Sequence, residues 1–84
     1  LKPNPQLLFE LGNQFKRHRI HQGATQKKIA DKANIEVSYL SDIERGLKNP
    51  TYDVLVRISR ALGTTFFTIS KAVEDEVFHN DKRK

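Results

Sequence analysis

Cysteine is absent from the 84 residues, so no disulfide framework and no thiolate metal site supports the fold. No run is long and apolar enough to span a bilayer, and no signal-peptide pattern opens the sequence. A soluble, cytoplasmic protein without membrane contact is therefore expected. Methionine is missing too, an initiator included, from which a processed chain or an excerpt of a longer one is expected. Alternating strands, internal repeats and low-complexity segments are also lacking. What remains reads as helix. A chain of this length has room for one domain around one apolar cluster, and the fold class is all-α.

Catalytic chemistry is thinly represented. His18 and His21 stand three apart and could share a helix face, yet no third metal ligand accompanies them. There is no phosphate-binding glycine loop and no Ser-His-Asp set in a supporting context. The expectation is no enzyme, no metal, no cofactor and no small-molecule ligand.

Positive charge is what the sequence has in surplus. Fifteen Lys and Arg against ten Asp and Glu leave a net charge of +5. Ten basic and five acidic residues fall between Lys16 and Arg60, whereas Glu74-Asp75-Glu76 is an acidic run near the end. Basic surplus suits a polyanion, because neutralised phosphates release counterions and that release drives binding. Charge alone is a weak signal.

Five helices can be traced. Asn4-Pro5 caps and starts the first, which carries Leu8, Leu11 and Phe15 at helical spacing and turns Glu10, Gln14 and Arg17 elsewhere. Gly23 ends it. Thr25 caps a short second helix with Ile29, Ala30 and Ala33, and Asn34 follows at a position suited to positive φ. A third runs from about Glu36 to Arg45 and is closed by Gly46. Thr51 caps a fourth with Leu55, Ile58 and Leu62; after Gly63, Thr64-Thr65 starts a fifth with Phe66, Ile69, Val73 and Val77. Residues 1–78 are read as a single domain, and 79–84 as a polar, disordered tail.

The second and third helices, joined at Asn34, form a compact pair with one outer face. Along the third, Leu40, Ile43 and the stem of Glu44 gather on one side. Val37, Ser38, Ser41, Asp42 and Arg45 fall on a stripe roughly 140° wide on the other. Small side chains near the start and an arginine at the end suit a helix that meets base edges and leaves toward phosphate. On spacing alone, a plain amphipathic helix with its polar face in water fits equally well.

Gly23-Ala24-Thr25-Gln26-Lys27-Lys28-Ile29-Ala30, Asn34-Ile35 and Tyr39-Leu40-Ser41-Asp42-Ile43-Glu44-Arg45-Gly46 together resemble the phage-repressor/Cro-like (Xre-type) helix-turn-helix family. The likeness continues through Asn49-Pro50-Thr51 and Leu55 to Gly63 and covers roughly residues 8–70. It implies a five-helix lambda-repressor-like domain and a transcriptional regulator of the repressor or restriction–modification controller kind. Such a regulator binds double-stranded DNA, as a homodimer on a palindromic operator. The resemblance further implies base contacts from Val37, Ser38 and Ser41, to which the stripe itself adds Asp42. Phosphate contacts would come from Thr25, Gln26, Lys27, Tyr39, Arg45, Lys48 and Asn49. Arg19 and Glu44 match a structural ion pair.

Beyond the resemblance, Phe66, Phe67, Ile69 and Val73 are expected at a dimer interface. Two adjacent phenylalanines do not both point inward from one helix, and this motivates the expectation. Glu36 departs from the family, standing where a small capping residue is commoner, and Asp42 puts a carboxylate on the groove side. The rival reading is a protein-interaction module of the same fold, such as an antitoxin or adaptor.

Overall fold

The computed structural model describes residues 2–79. Beyond His79, the tail expected to be disordered lies outside the described residues. Five helices follow one another: α1 (Pro5–His21), α2 (Gln26–Ala33), α3 (Val37–Glu44), α4 (Tyr52–Ala61) and α5 (Phe66–Val77). Among the described residues no strand occurs.

Each start has a local cause. The Asn4 side chain accepts from the Gln6 and Leu7 amides at 2.9 and 3.2 Å, with Pro5 in the first turn. Thr25, Thr51 and Thr65 accept from the amides three residues on, at 3.1, 3.3 and 3.2 Å. Such caps contribute on the order of 1 kcal/mol each. α3 differs. Glu36 occupies its N-cap position and makes no side-chain cap bond.

The end of α2 decides the angle to α3. Asn34 takes the left-handed conformation (φ 57°, ψ 50°), and the Ile35 amide reaches back to the Ala30 carbonyl at 3.0 Å. This is the Schellman arrangement, which stops a helix sharply while satisfying its last carbonyls. Asparagine tolerates that conformation better than other residues with a Cβ.

The core is one cluster in which Phe15, Ile29, Leu40, Ile43, Ile58 and Ile69 are fully buried. α1 packs against α3 and α5, and α2 against α3 and α4. Because α1 is covered on both flanks, Glu10 is buried rather than turned to solvent, and its carboxylate accepts from Gln14 Nε2 at 2.8 Å. Ile69 and Val73 also belong to this cluster, 0% and 5% exposed. That corrects the interface expectation for both, since no surface is left to meet a partner. Phe66 is half-buried and meets Tyr52 edge-on at 6.0 Å, whereas Phe67 stands 78% exposed.

Gly12 lets α1 lie directly on the end of α3. A Cβ there would come within 2.6 Å of the Glu44 carbonyl oxygen. Alanine would gain about 1 kcal/mol of helix propensity at this position. The clash is with backbone, which cannot rotate away, so it outweighs that gain. Gly12→Ala should lower stability by about 1–3 kcal/mol in urea denaturation. An unchanged midpoint would mean that the two helices separate without cost.

Candidate nucleic-acid interface

The outer face of α2 and α3 is built from the inside. Leu40, Ile43 and Glu44 are buried, which fixes α3 about its own axis. Val37, Ser38 and Arg45 are then exposed, and Ser41, Asp42 and Tyr39 half-buried. Val37 keeps 42% of its surface in water. The protein's own core therefore leaves this side open. Tyr39 leans on the core with its ring, as an amphipathic side chain can while keeping its hydroxyl available.

One carboxylate ties three helices together. Glu44 on α3 accepts from Arg19 Nε at 2.7 Å and Nη2 at 2.9 Å, a bidentate pair with α1. Gln26 Nε2, at the start of α2, donates to the same group at 2.9 Å. Arg19 Nη1 also donates to the Ala24 carbonyl at 3.0 Å, which holds the approach to α2. The Glu44 side chain is only 2% exposed and that of Arg19 13%. Glu44's hydrogen bond to the guanidinium, aided by its charge and opposed by burial, raises the Arg19 pKa above its ordinary value.

Because a carboxylate only accepts, Gln26 must turn its nitrogen toward Glu44, and the second amide hydrogen remains to be used. The resemblance gave Gln26 a phosphate contact and did not link it to the Arg19–Glu44 pair. Its coupling to Glu44 was invisible, since residues 26 and 44 are brought together by the α2–α3 angle.

The charged residues around α3 are mostly engaged locally. Arg45 Nη2 pairs with Asp42 Oδ1 at 2.7 Å, so the carboxylate that seemed out of place beside phosphate has a cation. Lys27 meets Asp31 at 3.1 Å, with both side chains well exposed. Thr25 is exposed and spends an oxygen lone pair on its cap, leaving its hydroxyl hydrogen. Lys48 and Asn49 lie exposed in the loop after α3.

A further positioning residue, Arg57 on α4, was missed. Its Nη1 donates to the Ala33 and Asn34 carbonyls at 2.8 and 3.1 Å, and Nε and Nη2 grip Asp53 at 3.2 and 3.0 Å. It clasps the turn from below. The only sequence signal was an Asp-Arg pair spaced by four, which occurs on many solvated helices.

The family model described as helix-turn-helix matches residues 15–69, from the middle of α1 into α5. The chain belongs to the helix-turn-helix family, of the Xre type. Among its curated relatives is an uncharacterized helix-turn-helix-type transcriptional regulator, y4dJ, of Sinorhizobium fredii. It is 31% identical over 81% of this chain and 88% of that protein. The immunity repressor of Bacillus phage phi105 is 42% identical over 63% of this chain but only 37% of its own length. The match thus spans well under half of that repressor. Among solved structures, the restriction–modification controller protein C.Esp1396I, as a tetramer in complex with its natural 35-base-pair operator, superposes with a TM-score of 0.77. It is 29% identical over 86% of this chain and 95% of that one.

Among the described residues of this helix-turn-helix chain no helix is long and apolar enough to cross a membrane.

Proposed function

We infer that this chain is a sequence-specific regulator of transcription that binds double-stranded DNA and sets α3 into the major groove of its operator. The observation that carries the reading is the open side of α3. Short side chains stand exposed along it, while its opposite side is locked in the core. The major groove, about 12 Å wide, admits an α-helix, and short side chains on its leading side let the backbone approach the base edges closely. Membership of a family that includes phage repressors and restriction–modification controllers supports the same reading.

In this reading Val37, Ser38, Ser41 and Asp42 face base edges. Thr25, Gln26, Lys27, Tyr39, Arg45, Lys48 and Asn49 reach phosphates on either side. Gln26 contributes its second amide hydrogen, reinforced by the free amides that begin α2. Two copies bind a roughly palindromic operator, with their α3 helices about 34 Å apart, one turn of duplex. Repression, or control of a restriction–modification system, is the regulatory outcome this family membership favours.

Selection of binding sites from random duplex DNA tests the reading. Enrichment of a paired half-site is expected. Ser38→Ala should change the preference at one base step by about 1–3 kcal/mol while leaving the flanking contacts intact. Failure to enrich any sequence, with no duplex affinity even at low salt, would favour the protein-interaction module instead.

A further inference from the structure

The start of α3 carries a side chain for which neither the core nor the residues assigned to DNA account. Glu36 occupies the N-cap position, is exposed, and makes no side-chain cap bond. The other four helices each begin on a side chain that accepts from a free amide. The helix dipole favours an anion here. A capping aspartate would serve the dipole equally and satisfy an amide as well. Glutamate gives up the cap and gains reach.

Among the described residues the Glu36 carboxylate also has no cation. Lys27 and Arg57 line the same shallow hollow as Glu36 and Val37. Lys27 is held by Asp31 at 3.1 Å, and Arg57 by Asp53 at 3.0 Å. Asp42, farther along α3, is neutralised by Arg45 at 2.7 Å. Glu36 is thus an uncompensated carboxylate at the leading end of α3, the end from which a recognition helix contacts base edges. Val37 follows it directly, with its Cα about 3.8 Å away, and keeps 42% of its surface in water.

A carboxylate only accepts hydrogen bonds. The donors in the major groove are the amino groups of cytosine N4 and adenine N6, whereas guanine and thymine present acceptors that repel it. Adenine also carries the acceptor N7 beside its amino group, against the second carboxylate oxygen. Cytosine carries a carbon, C5, beside N4, and an apolar neighbour of the carboxylate suits that carbon. A methyl group on C5 would enlarge the contact, as the thymine methyl does with apolar side chains.

We propose that Glu36 and Val37 together read one cytosine in each half-site, Glu36 accepting from N4 and Val37 packing on C5, and that they favour 5-methylcytosine over cytosine. The inference rests on the functional reading that sets α3 in the major groove, and it names a base that α3 selects there.

Sites selected from random duplex DNA by the full chain and by Glu36→Gln test the first half. The original chain should enrich cytosine at one position of each half-site. Glutamine donates as well as accepts and pairs with adenine N6 and N7, so Glu36→Gln should turn that preference to adenine, roughly tenfold or more. Titration of labelled duplexes tests the second half. Methylation of that cytosine at C5 should tighten binding by the original chain about fourfold per half-site, the worth of one buried methyl group. Val37→Ser should lose this response. Far-UV circular dichroism should stay unchanged, because both side chains are exposed. An unchanged choice of base in Glu36→Gln would overturn the role of Glu36, and a methylated site bound no tighter would overturn that of Val37. Either result leaves the functional reading standing, since a sequence is still selected. An original chain that enriches no sequence would overturn that reading and this inference together.

Discussion

Arg19→Ala should cost about 3–5 kcal/mol, enough to remove most of the stability of a small domain. The whole stability of a domain is only about 5–15 kcal/mol, and small domains sit at the low end. The size of the effect comes from what stays behind. Glu44 is 2% exposed at its side chain and accepts from three donors, two of them on Arg19. With Arg19 gone, a buried carboxylate keeps one amide donor and no countercharge. Glu44→Gln should cost less, because the stranded cation is 13% exposed and its long stem lets the guanidinium reach water. Urea midpoints with a constant m-value would measure both. Equal losses for the two variants would contradict this asymmetry. Replacing both residues by leucine or methionine of similar volume should restore much of the loss, since the penalty lies in the unpaired charge.

The same network shows what sequence could and could not convey. Caps and stops are local, so Asn4-Pro5, Thr25, Asn34, Thr51 and Thr65 announced their elements without knowledge of the rest. The buried side of α3 followed from periodicity alone. Leu40, Ile43 and Glu44 lie where 100° steps put them. Resemblance supplied the Arg19–Glu44 pair, which no spacing rule links across 25 residues. What stayed hidden depends on three helices meeting at once. Gln26 on Glu44, Arg57 on the turn carbonyls, and Gly12 against the Glu44 carbonyl all follow from the packing angle, which a linear pattern does not encode. On α5 the error had a different source. Ile69 and Val73 sit on one helical face and are taken up by the core, so grouping them with Phe67 mixed two sides of one helix.

Raising salt from 50 to 200 mM should weaken duplex binding about 10³-fold, and up to about 10⁵-fold if further basic residues join. The lower figure follows from Lys27, Arg45 and Lys48 on each of two copies, about six phosphate contacts, at a slope near −0.9 per contact. Gln26 is neutral and offers a hydrogen bond without displacing a counterion. Gln26→Ala should therefore weaken binding to all sequences alike and leave the salt slope unchanged. Arg45→Ala should instead flatten the slope by about 2 per dimer, one unit for each lost cation. Asp42 complicates this in a useful way, because it holds Arg45 at 2.7 Å and must release it for the phosphate to gain the full charge. Asp42→Asn frees the guanidinium and removes a carboxylate from beside the backbone. It should raise affinity for every duplex and steepen the slope. If Asp42 accepts instead from a cytosine amino group, the same substitution should alter the preferred base and lower affinity for the selected site. Binding that ignores salt would remove phosphate neutralisation from the interaction, and with it the roles of Lys27, Arg45 and Lys48.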